Sequence, residues 1–362
     1  MKILITGGHY TPAMAVIDHL KNHEVVFVGR KYSIESELTE SPEFKEINLK
    51  GIKFIPLQTG KINRFISMGM FLNLLRIFKG LKQAKKIIRN ERPDIILCFG
   101  SYLAVPIAIQ GWLNKIPVFT HEQTINPGLS NRVISLFSKK VFISFDKSKR
   151  FFPKRKILLT GNPIRKSIEN IITKSKANSK IKTIFISGGS LGSHSINEII
   201  LKNLKKLLEK YIIIHQTGNV KEFDDYRKSL VFKRNLPLRL KKNYQISQHF
   251  NDSQIGAIYE KADILISRAG ANTVFELIAL KKPSILIPLP WSANKEQEKQ
   301  AKFLKENGVC EIFYQNQNPT KIKNFTDKVI NNISFYKNNF KNINYLYKKN
   351  AAQTIAKEIL QK

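Results

Sequence analysis

Residues 183–210 read TIFISGGSLGSHSINEIILKNLKKLLEK. A run rich in β-branched and aromatic residues, Thr183 to Ser187, leads into Gly188 to Gly192 and then into a helical pattern from Ser195 to Lys210. The order is strand, glycine turn, helix. Residues 2–22, KILITGGHYTPAMAVIDHLKN, repeat that order, with a strand at Lys2 to Thr6, a turn at Gly7 and Gly8, and a helix from Pro12 to Asn22. A strand that ends in glycines and feeds a helix opens a Rossmann-like unit, because the glycines let the backbone approach a ligand where unpaired helix N–H groups point. Two such openings predict an α/β protein of two Rossmann-like parallel-sheet domains.

Outward from the two openings, short β-branched runs alternate with helical patterns, as parallel α/β structure requires. Strands are predicted at Glu24 to Val28, Ile52 to Leu57, Asp94 to Phe99, Pro117 to Thr120, Lys140 to Phe145 and Lys156 to Thr160 in the first half. Tyr211 to Gln216, Ile264 to Ser267 and Ser284 to Pro288 follow in the second. Residues 162–182 are polar and rich in Lys, Ser and Asn, which marks them as a linker between domains at 1–161 and 183–335. Residues 336–362 are expected to be a C-terminal helical element that packs back on the N-terminal domain.

The 362 residues carry 61 Lys and Arg against 27 Asp and Glu, a formal charge of +34, with 42% hydrophobic residues. That apolar fraction excludes a disordered basic tail, and the charge predicts attraction to nucleic acid, anionic lipid or phosphorylated substrates, with compositional drift as the alternative source. None of the usual nucleic-acid reader motifs is present, so nucleic acid is not expected as a partner. Two cysteines, Cys98 and Cys310, cannot build a disulfide framework or a zinc site, which fits a reducing cytosol. The apolar start at Met1 to Thr6 is too short for a secretory signal, and Tyr102 to Leu113 falls short of the roughly 20 residues of a membrane span. A soluble or peripheral protein is expected.

Four constellations carry candidate chemistry. In Thr6-Gly7-Gly8-His9, the His stands at the carboxyl edge of a parallel sheet, where it can act as a base or make a structural hydrogen bond. Gly188 to Ser193 packs three glycines and two serines into six residues ahead of a helix, which suits a diphosphate, although neither the P-loop nor the G-x-G-x-x-G spacing is present. In Ser267 to Glu276 a strand ends in a glycine turn, and Glu276 in the following helical turn is either a cap or a grip on ribose hydroxyls. His121-Glu122-Gln123-Thr124, followed by Asn126-Pro127-Gly128, reads as a loop of site residues. Asp224-Asp225 reads as solvated surface.

TGGHYTPA, GSYLAVP, HEQTINPGLSN, GNPIR, ISGGSLGSHSIN, HQTG and ADILISRAGANTVFE, in that order over residues 1–310, make the chain similar to the MurG family of glycosyltransferases. The family makes lipid II from lipid I in peptidoglycan synthesis. The resemblance implies a GT-B fold of two Rossmann-like domains facing across a cleft. The N-terminal one would take the lipid-linked acceptor and dock on the membrane, and the C-terminal one would take the donor UDP-N-acetylglucosamine. It implies that Thr6, Gly7 and Gly8 face donor sugar and acceptor, that Arg165, Ser190 and Ala271, Asn272, Thr273, Val274, Phe275 and Glu276 hold UDP, and that Thr124 and Gln297 meet the donor sugar. Three departures stand out: Leu4 and Ile5 replace the first glycines of the family's first loop, Thr124 replaces an Asn, and Gly100-Ser101-Tyr102 replaces Gly-Gly-Tyr.

The implied reaction is an inverting transfer of N-acetylglucosamine to the C4 hydroxyl of the muramoyl sugar of lipid I, without cofactor or metal. His9 is the first candidate for the general base and Glu122 its competitor. A diacylglycerol glycosyltransferase would share the UDP site and is the nearest alternative. The apolar run from Phe65 to Phe78, flanked by Arg76, Lys79, Lys82, Lys85, Lys86 and Arg89, reads either as a buried helix or as a patch for an anionic membrane surface. A peripheral position on the cytoplasmic side of the cell membrane follows from the resemblance.

Overall fold

A computed structural model of the protein describes residues 1–34, 39–59, 69–173, 180–189 and 191–361. The chain forms two compact units, Met1–Ile164 with Lys348–Lys362, and Arg165–Tyr347. The first holds β1 (Lys2–Thr6), β2 (Glu24–Gly29), β3 (Tyr32–Ile34), β4 (Thr39–Glu40), β5 (Lys53–Pro56), β6 (Ile95–Cys98), β7 (Val118–Glu122), β8 (Lys140–Ile143) and β9 (Ile157–Leu159). The second holds β10 (Thr183–Ser187), β11 (Ile212–Gln216), β12 (Tyr244–Ser247), β13 (Ile264–Ser267), β14 (Ser284–Leu286) and β15 (Cys310–Ile312).

The first sheet runs β5-β2-β1-β6-β7-β8-β9 and the second β12-β11-β10-β13-β14-β15, and all pairs within them are parallel. Parallel strands are joined by helices that cover both faces, so successive residues of a central strand are all buried. In β1, Ile3 and Ile5 enter one core with Phe27, Leu97 and Phe119, while Leu4 enters the opposite one with Val28, Ile96 and Ile107. β10 likewise gives Ile184 and Ile186 to the core of the second unit. In both sheets the strand order reverses beside the first strand of the unit, between β1 and β6 and between β10 and β13. Ligands of open parallel sheets bind outside the carboxyl ends of the strands at this reversal. The two glycine turns quoted above therefore occupy the two ligand positions of the fold.

Four expectations are corrected. β12 and β15 lie in stretches read without strands, and His121 and Glu122 are the last residues of β7, not loop residues. The tail from residue 336 is divided: Tyr336 is buried in the second unit's core, whereas Ala352, Ile355, Ala356 and Ile359 of the last helix, Ala351–Leu360, join the first unit's core. In the expected linker, Arg165 and the short helix Lys166–Glu169 belong to the second unit, and residues 174–179 lie outside the described residues. Of the apolar run at Phe65 to Phe78, residues 65–68 also lie outside them, and the helix Gly69–Glu91 follows.

Candidate active site

In the first unit, β1 ends at Thr6, which is fully buried with its hydroxyl against the Cys98 thiol. Gly7 N–H donates to Val28 O at 2.7 Å, and Gly8 follows at φ +142°. A Cβ on Gly8 would stand 2.6 Å from Ser101 Cβ and 2.8 Å from Gly100 O, so only glycine lets this turn press against the turn after β6. His9 is the N-cap of the helix Tyr10–Ile17, and a Cβ on Gly100 would lie 3.3 Å from His9 Cδ2. Burial lowers the His9 pKa to about 4, because a charged imidazolium would lose its water there. At neutral pH the ring is therefore unprotonated.

The end of β7 answers to a different logic. Glu122 is buried, and its carboxylate accepts from Thr124 N at 2.8 Å, Thr124 Oγ1 at 2.7 Å, Asn131 Nδ2 at 2.8 Å and the Gln123 N–H. Burial raises its pKa against the pull of those donors. The Thr124 hydroxyl donates its proton to Glu122 and keeps only its lone pairs for another partner. His121 Nε2 lies 3.1 Å from Ser144 Oγ and 3.3 Å from Gly161 O, and burial lowers its pKa to about 3. Adjacent His, Glu and Thr thus have a packing reason after all: they brace the turn. Asn131, in the first turn of the helix Leu129–Phe137, was missed as part of this brace because no spacing rule links it to Glu122.

In the second unit, the turn after β10 has Gly189 at φ +94° and Gly192 at φ +84°. Ser190 lies outside the described residues. A Cβ on Gly192 would fall 2.2 Å from Thr217 O, so this turn lies directly on the end of β11. Gln216 Nε2 donates to Ser187 Oγ at 3.2 Å and Gly189 O at 3.0 Å, while its Oε1 accepts from Phe250 N at 2.9 Å. Arg268, the first residue after β13, reaches across the strand-order reversal: Nη2 donates to Ser193 Oγ at 2.7 Å and Ser195 Oγ at 2.8 Å, and Nη1 to Ile287 O at 3.0 Å. Gln315 Oε1 accepts from both guanidinium nitrogens at 3.2 Å. Arg268 is buried, yet among the described residues every one of these partners is neutral. Burial lowers its pKa to about 10, which leaves it charged at pH 7.

Around it, the helix Ala271–Leu280 begins after Gly270 without a side-chain cap hydrogen bond. Val274 and Phe275 are fully buried, and only their backbone could serve a nucleotide; Asn272 and Thr273 keep some exposure. Glu276 is buried, with Tyr259 Oη donating to Oε2 at 2.6 Å and Arg165 Nε 3.2 Å from Oε1. Burial raises its pKa while Arg165 opposes the rise. Gln297 Oε1 accepts from Leu289 N at 3.1 Å, which ties the helix Glu296–Glu306 to the loop after β14. Asp225 is not solvated surface: it is buried and lies 2.9 Å from His194 Nδ1 and 2.8 Å from Asn197 Nδ2. Among the described residues, no three His, Cys, Asp or Glu side chains are grouped as metal ligands.

Two parallel-sheet domains, each with a glycine turn at its strand-order reversal, define the chain as a glycosyltransferase of the GT-B class once the comparisons with known proteins are added. Residues 6–143 match the glycosyltransferase family 28 N-terminal domain and residues 183–359 the family 28 C-terminal domain. The chain belongs to the MurG family: it is 35% identical to the UDP-N-acetylglucosamine--N-acetylmuramyl-(pentapeptide) pyrophosphoryl-undecaprenol N-acetylglucosamine transferase of Clostridium botulinum, over 96% of this chain and 99% of that one. It is 33% identical to the protein of the same name from Clostridium tetani, over 91% and 88%. The crystal structure of Acinetobacter baumannii MurG shares the fold with a TM-score of 0.71, at 23% identity over 100% of this chain and 99% of that one.

Proposed function

We propose that the protein transfers N-acetylglucosamine from UDP-N-acetylglucosamine to the C4 hydroxyl of the muramoyl sugar of lipid I, giving lipid II. The observation that carries this reading beyond the family is Arg268, a buried cation beside a glycine turn whose partners among the described residues are all neutral. An uncompensated buried guanidinium is costly, and a diphosphate is the ligand that would compensate it.

In the reaction, the C4 oxygen bonds to the anomeric carbon from the face opposite UDP, the bond to the β-phosphate oxygen breaks, and its electron pair leaves with UDP. The configuration inverts. His9, neutral at physiological pH, takes the hydroxyl proton, a contribution of about 10² to 10⁴ in rate. Glu122 is unsuited to that task because four donors already occupy its carboxylate. Arg268 and the N–H groups of the second unit's turn receive the charge that develops on the diphosphate, so the chemistry needs no metal. In this reading Ser190, Ala271, Asn272 and Thr273 complete the diphosphate and nucleoside site. Glu276, held on Oε2 by Tyr259 and on the other side by the charge of Arg165, keeps Oε1 without a hydrogen-bond partner among the described residues and offers it to a ribose hydroxyl.

The acceptor's polyprenyl tail requires a membrane, and no helix among the described residues is long and apolar enough to cross one. Support for peripheral docking comes from the first unit, where Phe78, Trp112, Leu113 and Leu136 are all more than half exposed. Trp112 stacks edge-on against Phe137 at 5.5 Å, and Lys79, Lys115 and Lys139 neighbour these residues in sequence. Apolar tips among cations suit an anionic lipid surface. Binding to anionic vesicles should weaken with salt and with Trp112→Ser; equal binding to neutral vesicles removes the electrostatic part of the reading.

Purified protein incubated with UDP-N-acetylglucosamine and lipid I tests the function. UDP release should match lipid II formation one to one. Transfer to diacylglycerol in preference to lipid I, or UDP release with no lipid product, overturns it.

A further inference from the structure

The turn that carries His9 is held from beneath by a residue with no motif to announce it. Glu43 lies in the first turn of the helix Pro42–Leu49, whose N-cap Ser41 accepts from Phe44 N at 3.1 Å and donates to Arg30 O at 2.6 Å. This anchorage aims the Glu43 side chain under the ends of β1 and β2. Its Oε1 accepts from Arg30 N at 2.8 Å, and the carboxylate also accepts the Gly8 N–H. The fit is close: a Cβ on Gly7 would lie 2.9 Å from Oε2 and 3.0 Å from the Phe27 ring, and a Cβ on Gly29 would lie 2.9 Å from Oε1. Glu43 is buried, which raises its pKa, while the Arg30 and Gly8 N–H groups and the charge of Arg30 oppose the rise.

A buried carboxylate whose hydrogen bonds come from backbone N–H groups is a poor way to stabilise a fold, since its desolvation is costly before any gain. It is a good way to fix a backbone turn. Gly8 is pressed between Glu43 on one side and Gly100 and Ser101 on the other, and His9 is the next residue. We infer that Glu43 is a positioning residue for the reaction: by accepting Gly8 N–H and Arg30 N–H together it fixes the turn that sets His9 against the Gly100 backbone. The same contact withdraws the Gly8 N–H from any anionic ligand and puts negative charge under the turn. The first turn is thereby suited to a neutral sugar hydroxyl and closed to a phosphate.

This inference rests on His9 as the base, and a double-mutant cycle separates the two ideas. Glu43→Gln should lower kcat about 10²-fold, the size expected for misplacement of a catalytic group by about 1 Å, with UDP affinity unchanged. The variant His9→Ala/Glu43→Gln should be no slower than His9→Ala alone, because Glu43 acts through His9. Full multiplication of the two losses, or wild-type kcat in Glu43→Gln beside a deep loss in His9→Ala, overturns the role of Glu43. Near-normal kcat in His9→Ala overturns the base assignment and the inference with it. Glu43→Asp keeps the charge but withdraws it by one methylene, and it carries the same cycle if the Gln variant fails to fold.

Discussion

The turn after β1 and the turn after β10 hold equivalent places, each at the point where strand order reverses, and each is built on glycines that no side chain could replace. Their electrostatic surroundings are opposite. The first rests on a buried carboxylate, Glu43, and presents a neutral imidazole. The second is crossed by a buried guanidinium, Arg268, tied to two serines and backbone carbonyls. One backbone solution has therefore been given two charges, and in the proposed reaction they would serve its two halves: a hydroxyl that loses a proton and a diphosphate that leaves with the bonding electron pair.

The strongest test of that contrast removes the cation. Arg268→Met should weaken UDP binding by about 10²-fold, the cost of losing one partner of a desolvated charge pair. Its melting temperature without ligand should change little, because the desolvation cost of the cation and the hydrogen bonds it donates to Ser193, Ser195, Ile287 and Gln315 are removed together. Lost stability with retained UDP binding would make Arg268 a structural strut, and the contrast between the turns would collapse.

Gly192→Ala is next in size. At φ +84° its Cβ would stand 2.2 Å from the Thr217 carbonyl oxygen, so the second unit should lose about 3 kcal/mol in denaturant unfolding. Gly8→Ala, at φ +142° with Gly100 O 2.8 Å away, should be comparable and should also slow turnover. A tolerated alanine at either position would show that the turns are looser than the contrast requires.

The pH dependence of kcat/KM sharpens the first turn's side of the comparison. The base must be unprotonated in the free enzyme, and burial lowers His9 to about 4, so activity should stay level from pH 8 to about 5 and fall toward pH 4. An acid limb centred near 6.5, the ordinary histidine value, would mean that His9 is solvated and poorly held.

The smallest effect concerns stability. His215, buried between Asn197 and Tyr244, has its pKa lowered to about 3, so the unfolded chain takes up a proton below about pH 6.5 that the folded second unit refuses. Its contribution is complete above that pH and is lost progressively down to about pH 3. His215→Gln should flatten the fall in melting temperature between pH 6.5 and 4.5, and an unchanged slope would assign the acid sensitivity to His9 and His121.

Much of the fold was legible because central parallel strands are buried on both faces and read as continuous apolar runs; Lys2–Thr6, Thr183–Ser187 and Ile264–Ser267 were found to the residue. β12 and β15 escaped for the complementary reason. Both are short edge strands: in Tyr244–Ser247 only the tyrosine is buried, and Cys310–Ile312 has three residues. Site chemistry was legible where glycines forced it and obscure where carboxylates were hidden. Asp225 looked solvated and is buried against His194, and Glu122, read as the competitor to His9 for the base, has a carboxylate bonded to Thr124 and Asn131. Glu43 has no local signature, because its two N–H donors come from the ends of other strands.

If the two turns divide the labour, turnover and UDP affinity measured side by side on His9→Ala separate: UDP should bind at wild-type affinity by titration calorimetry with kcat lowered at least ~10²-fold. UDP affinity lost together with kcat, or kcat retained, would show that the turns do not divide it.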